Sequence, residues 1–277
     1  MSTLNKSFDL SKKIRIHALK MVHISKSSHI GSCLSMADLL AVLYNQILCI
    51  RPTEPNWPYR DRFILSKGHG SAILYAVLAE CRFFPIQLLD SYCQDDTQLS
   101  GHVTKNLIPG IEVSSGSLGH GLPIACGMAL KAKRLGEKHR IFVLLGDGEL
   151  NEGSNWESAL FAPQHDLDNL IVIIDHNQIQ SFGATKDIID LSSIQKKFSS
   201  FRWSTLEIDG HNLLDIYEAL SLLPLEVGKP NLIVANTIKG KGVSFMEDQL
   251  AWHYKSPDKF QLNEAIQELM ANENNFY

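Results

Sequence analysis

The chain has 277 residues, with 26 Lys and Arg against 30 Asp and Glu and a formal net charge of −4. That near balance excludes the basic face of a nucleic-acid binder, and a content of 44% apolar and 20% charged residues excludes disorder. The five cysteines, at positions 33, 49, 81, 93 and 126, form no Cys-x-x-Cys pair, so neither a disulfide framework nor a zinc knuckle is expected.

In chain order, the opening MSTLNKSFDLSKKIRIHALK lacks the continuous apolar core of a signal peptide, and no segment approaches the length of a membrane span. A cytoplasmic protein without membrane contact is expected. Apolar positions three and four apart predict a helix from Leu10 to Ser25 with Asp9 as its cap. Ser35-Met-Ala-Asp38 reads as a variant capping box opening a second helix through Leu48. Three prolines between Ile50 and Tyr59 make a connector, and a strand follows at Arg62 to Leu65, ahead of Ser66-Lys67-Gly68-His69-Gly70 and another helix.

From there the pattern is regular. A helix from Leu118 to Arg134, a strand at 141–145, a helix from Asn155 to Ala162, a strand from Leu170 to Asp175 and a last strand from Leu232 to Asn236 are predicted. Strands apolar at nearly every position, separated by helices, imply an α/β fold with a mostly parallel sheet covered on both faces. A helix with Pro257 at its first position, running to Met270, closes the sequence. Without repeats or Gly/Ser linkers, residues 1–277 read as one domain.

Ligands of such sheets bind beyond the carboxyl ends of the strands. Asp147, between Gly146 and Gly148, follows one strand, and Asn177 follows the next, 30 residues on, about one strand-helix-strand unit. A carboxylate, an amide oxygen and a free backbone carbonyl are hard donors suited to Mg²⁺, which also takes substrate phosphate oxygens. The glycines would let a diphosphate approach, and the helix after Gly153 would offer it N-terminal amides. A dinucleotide loop from Gly146 would need Gly at 151, which is Asn, and a phosphate loop from Gly148 would need Lys at 154, which is Ser. A calcium loop from Asp147 would need Gly at 152 and an acid at 158, which are Glu and Ser. Of the two further acids here, Glu149 reads as solvated.

Of eleven histidines, four fall beside Gly or Ser in loop-like contexts, in Ser28-His29-Ile30-Gly31, Gly68-His69-Gly70, Gly101-His102 and Gly119-His120-Gly121. Such placement suggests a polar cavity with neutral donors, acceptors and proton carriers near pH 7. His17, His23, His139 and His165 lie in helix or surface contexts and receive no role.

Gly146-Asp147-Gly148 followed by Asn177 resembles the thiamine diphosphate fingerprint, with His176 in place of the first Asn of the usual Asn-Asn pair. SHIGSCLSMADLL, LSKGHG, GSLGHG, GDGELNEGSNWES, DHNQI and TIKGKGVSFMEDQLAWH together resemble the N-terminal half of transketolases across nearly the whole chain. The resemblance implies a three-layer thiamine diphosphate-binding fold. It implies that Asp147, the Asn177 side chain and the Ile179 carbonyl bind Mg²⁺, and that Lys67, His69, Gly116, Ser117, Leu118, Gly148 and Lys239 surround the diphosphate and thiazolium. His29, His102 and His253 would face sugar hydroxyls and assist proton transfer, with His253 also near the cofactor. Glu152 and Glu157 match glutamates near the interface of paired cofactor sites, and Glu152 counts among the cofactor-binding set. Ser28 and Ile30 replace the usual Gly and Pro around His29, so altered loop geometry is expected there.

The family's pyrimidine-binding domain, which supplies the glutamate that activates the cofactor, and its C-terminal domain have no counterpart in this sequence. The resemblance therefore implies one subunit of a split transketolase, paired with a second chain in a heterotetramer and transferring a two-carbon ketol unit between sugars or sugar phosphates. The alternatives are a subunit of a thiamine diphosphate-dependent 2-oxo acid dehydrogenase or decarboxylase, which also uses GDG and Asn, and a non-catalytic binding protein that keeps the fold.

Overall fold

The computed structural model describes residues 3–105 and 107–271; the extreme ends of the expected 1–277 domain lie outside them. Five strands, β1 (Arg62–Leu65), β2 (Ile141–Gly146), β3 (Leu170–His176), β4 (Ser204–Asp209) and β5 (Asn231–Asn236), form one sheet in the order β1-β2-β3-β5-β4. All four pairings are parallel. Helices α1 (Thr3–Ser25), α2 (Ile30–Ser35), α3 (Ala37–Val42) and α4 (Ser71–Glu80) precede β2; α5 (Gly121–Arg134), α6 (Gly153–Gln164), α7 (Thr185–Ile188), α8 (Ile194–Ser200), α9 (Leu213–Ser221) and α10 (Lys259–Ala271) complete the set.

Alternation along the central strands divides the apolar core in two. Phe142, Leu144, Ile171, Ile173 and Ile233 face a layer that includes α1 to α4, α9 and α10, whereas Val143, Leu145, Val172, Ile174 and Val234 face α5, α6 and α8. The result is the expected three-layer α/β fold with helices on both faces.

Several elements differ from expectation for local reasons. Helix α1 starts at Thr3 and holds Asp9 inside it, because Leu4 and Phe8 also pack against the core. The expected helix from Ser35 to Leu48 breaks at Met36 and ends in a π-helical turn at Leu43–Ile47. Its supposed capping residues are engaged elsewhere, Ser35 by Asp175 and Asp38 by Arg15. Helix α10 is capped by Asp258, which takes the Gln261 N–H at 2.9 Å while Gln261 Oε1 takes the Asp258 N–H at 3.1 Å, a reciprocal box that leaves Pro257 ahead of the helix. The expected helix at 118 starts at Gly121, and β4 with α9 was not anticipated.

Candidate active site

The carboxyl ends of four strands converge on one polar cluster: Lys67 follows β1, Asp147 follows β2, Asn177 follows β3 and Lys239 follows β5. Gly146 pairs with Asp175 across β2 and β3, so Asp147 and Asn177 emerge from adjacent strands at nearly the same level. Asp147 is buried, with Oδ1 accepting the Gly148 N–H at 2.7 Å and Oδ2 accepting the Gln178 N–H at 2.6 Å and the Thr185 hydroxyl at 3.4 Å. Burial, and then the neighbouring Asp175 charge, raise its carboxyl above the usual range against these hydrogen bonds. Asn177 Oδ1 accepts the Ile179 N–H at 3.2 Å, while Nδ2 donates to Asp175 Oδ2 at 3.1 Å, which fixes the amide's orientation.

Asp175, absent from the sequence-based set, is the centre of this cluster. It is fully buried, pairs with the Lys67 ammonium, and also accepts from Ser35, Thr237 and Asn177. Burial alone would raise its carboxyl, but Lys67 and the hydroxyl donors hold it below the usual range. An acid one residue from the end of an otherwise apolar strand was the signal available. Lys67 is thus committed to Asp175 and to the Ser32 carbonyl at 3.2 Å. Lys239 reaches the Ile179 carbonyl at 2.8 Å and His253 Nδ1 at 3.0 Å. Burial, followed by the Lys67 charge, lowers its ammonium to about 8.

Glu149 is not solvated. Its carboxylate is 2% exposed and accepts from the Ser66 hydroxyl, the Gly119 N–H at 3.0 Å and the Gly146 N–H at 3.2 Å, tying the ends of β1 and β2 to the loop before α5. Burial nevertheless raises its carboxyl. Of the glycines flanking Asp147, Gly148 is crowded by Gln180, whose Cγ lies 2.7 Å from where a Cβ would stand. Its lack of a side chain therefore accommodates this chain's own packing.

Three of the four loop histidines gather with His253. The His29 ring centroid lies 5.0 Å from His69, 5.0 Å from His253 and 6.2 Å from His102. His29 adopts a left-handed backbone, φ 76°, directly ahead of α2, and its N–H donates to the His253 carbonyl at 2.8 Å. Burial, then His102 and Lys239, lower His29 to about 4. Burial, then Lys239, His29 and Lys67, lower His253 to about 3, and burial, then Lys67, hold His69 well below its ordinary value. These three rings are neutral near pH 7. His120 instead stays exposed beside Ser117, at 3.3 Å, outside the cluster. Gly116 packs against the His102 ring, which lies 2.5 Å from the position a Cβ would take. Ser117 and Leu118 continue that loop, and Glu152 and Glu157 are exposed at the start and outer face of α6. His176 turns along the sheet to Asn236 at 3.0 Å.

The donor chemistry fits Mg²⁺. Asp147 is a buried carboxylate whose hydrogen-bond partners, among the described residues, are all neutral, and such a group favours a bound cation. The Asn177 Oδ1 and the Ile179 carbonyl, which accepts from the Lys239 ammonium here, are the other hard donors on the loop after β3. Among the described residues no three His, Cys, Asp or Glu side chains are grouped to hold a metal ion. Likewise, no helix of the described residues is long and apolar enough to cross a membrane.

Comparison with known proteins bears on the same cluster. Residues 7–275 match the family described as transketolase, thiamine diphosphate binding domain. An apulose-4-phosphate transketolase subunit from Actinobacillus succinogenes is 42% identical over 97% of this chain and 99% of its own length. A 6-deoxy-6-sulfo-D-fructose transketolase subunit from a Clostridium species is 42% identical over 87% of this chain and 88% of its own. The transketolase structure from Leishmania mexicana superposes with a TM-score of 0.91 at 28% identity, over 95% of this chain and 41% of that one.

Proposed function

Because the chain belongs to the transketolase thiamine diphosphate-binding family, we propose that it is one subunit of a two-chain transketolase that moves a two-carbon ketol unit from a ketose to an aldose, with thiamine diphosphate and Mg²⁺. The observation that carries the reading is the neutral histidine cluster beside Lys239, set against the Asp147, Asn177 and Ile179 oxygens. Similar proteins of nearly this length are named as subunits, whereas the chain spans 41% of the Leishmania transketolase. A second chain, in a heterotetramer, would supply the pyrimidine-binding domain. The names of those relatives favour a branched or modified ketose as substrate.

Thiamine diphosphate, when bound, supplies the nucleophile and electron sink for breaking and forming a bond beside a carbonyl. This chain's own residues would bind the metal end of the cofactor and face the sugar. Asp147, the Asn177 side chain and the Ile179 carbonyl would hold the Mg²⁺, and Gly116, Ser117, Leu118, Gly148, His69 and Lys239 would line the cofactor. A neutral imidazole offers one donor and one acceptor nitrogen, so His29 and His253, with His102 beside them, can bind adjacent sugar hydroxyls and pass protons to and from the oxygen where charge develops. A 2-oxo acid decarboxylase has no use for such a hydroxyl-facing set.

The test is ketol transfer and calorimetry with the co-purified partner chain. Asp147→Asn should weaken cofactor binding with Mg²⁺ roughly tenfold or more, the loss of one charged contact. His253→Ala should instead lower kcat about 100-fold while cofactor affinity holds. Pyruvate decarboxylation without ketol transfer, or cofactor affinity indifferent to Asp147→Asn, would sink the proposal.

A further inference from the structure

A closed run of buried hydrogen bonds lies behind Lys239. The Ile238 N–H donates to His211 Nε2 at 2.8 Å, and His211 Nδ1 stands 2.9 Å from Asp38 Oδ2. Both Asp38 oxygens accept from the Arg15 guanidinium, at 2.8 and 2.7 Å, and Arg15 Nε donates to the Lys241 carbonyl at 3.1 Å. The run therefore leaves the backbone at Ile238 and returns at Lys241, bracketing Lys239. Its members come from α1, α3 and the turn before α9, and their side chains are 6% to 12% exposed. Burial would raise the Asp38 carboxyl, but Arg15 and His211 hold it well below the usual carboxylate range, so the run keeps its charge. The same stretch is pinned by the Gly240 N–H to the Gly31 carbonyl at 3.0 Å and the Asp248 N–H to the Lys239 carbonyl at 2.9 Å.

Donor arithmetic fixes two protons. A backbone N–H can only donate, so His211 Nε2 accepts and its proton sits on Nδ1, facing Asp38. An ammonium likewise only donates. Lys239, 3.0 Å from His253 Nδ1, therefore requires that nitrogen to accept and leaves the His253 proton on Nε2. Where the Lys239 ammonium stands thus decides which nitrogen of a pocket histidine is the donor. A ring without that partner is free to populate both tautomers.

We propose that Arg15, Asp38 and His211 are positioning residues that hold the 238–241 backbone so that Lys239 locks His253 in the single tautomer with its proton on Nε2. Its catalytic value rests on the reading of His253 as substrate-facing, but the tautomer itself can be observed without turnover. Failure of the positioning role and failure of the ketol-transfer reading are therefore separate results.

The experiment is long-range proton–nitrogen spectroscopy of the histidine rings in the ¹⁵N-labelled full chain. The wild type should show His211 as the Nδ1–H form and His253 as the Nε2–H form alone. His211→Ala should convert the His253 signal to a mixture of tautomers. His211→Gln, whose amide oxygen can still take the Ile238 N–H, should restore the single form, whereas His211→Asn, which keeps only the donor toward Asp38, should not. A purely stabilising role would lower the melting temperature and leave the His253 signal alone. The proposal is overturned by an unchanged His253 signal in His211→Ala, or by equal behaviour of the Gln and Asn variants. Should the Ala variant not fold, a wild-type His211 protonated on Nε2, or a His253 protonated on Nδ1, overturns it equally.

Discussion

Asp147 and Glu149 stand two residues apart with opposite surroundings, although the sequence presents them as similar acids. Asp147 meets neutral donors, one of them the Gln178 N–H between Asn177 and Ile179, which suits a cation, whereas Glu149 is consumed by Ser66, Gly119 and Gly146. Its donors lie up to 83 positions away, so nothing in the local text marked it as buried. Glu149→Gln would turn an amide hydrogen toward a backbone N–H and should cost about 1–3 kcal/mol. A urea midpoint equal to wild type would return Glu149 to the solvated role. The histidines carry a pH signature. In an unfolded chain they titrate near 6.5, whereas burial and neighbouring charges lower His29 to about 4 and His253 to about 3. From pH 6.5 down to about 4 the unfolded state therefore binds more protons, so stability falls as pH falls through that window; above 6.5 these groups contribute no slope. Melting temperatures should decline between pH 6.5 and 4.5, and less steeply in His29→Asn, since Asn tolerates the left-handed backbone there. Parallel declines in both proteins would contradict the assignment.

At the scale of elements, legibility followed burial. Strands β2, β3 and β5 were legible because both faces are covered and every position can be apolar. Strand β4 was not: it sits at the sheet edge and spells STLEID, with only Ile208 buried. That the strands before Asp147 and Asn177 are neighbours was legible because 30 residues is one crossover between adjacent parallel strands, and the β2–β3 register bears that out. The break at Met36 was not, and Ser35, just before it, reaches Asp175, a contact across 140 positions. Helix α9 carries a cap that sequence could have revealed, Asn212, which accepts from the Leu214 and Asp215 N–H groups at 3.0 and 3.3 Å. Asn212→Ala should cost about 1 kcal/mol. Because α9 follows the turn that carries His211, hydrogen exchange should speed up at 211–217; a change spread evenly over the sheet would show that the cap acts globally.

For the whole molecule, the question is what covers the outer face of α6. That helix turns Ala159 and Ala162 into the core and leaves Leu160 58% and Phe161 39% exposed, with Glu157 beside them and Ile124 of the adjoining α5 also 39% exposed. Leu160 and Phe161 are consecutive exposed apolar side chains on α6, and Ile124 is a third on the helix that packs against it. Under the proposed function, Glu152 and Glu157, on this helix and its cap, would lie near the pairing of cofactor sites, which would place these side chains on the same covered surface. Phe182, 81% exposed three residues beyond Ile179, is a second apolar projection beside the site. Leu160→Glu should then separate assembly from folding. As an exposed position it should change the stability of the isolated chain by no more than about 0.5 kcal/mol, while a charge set into an apolar contact should drop the sedimenting mass of the reconstituted enzyme to that of a smaller assembly and reduce ketol transfer with it. Full mass together with full activity in Leu160→Glu would show that α6 faces solvent in the working enzyme and that pairing, if required, uses another face.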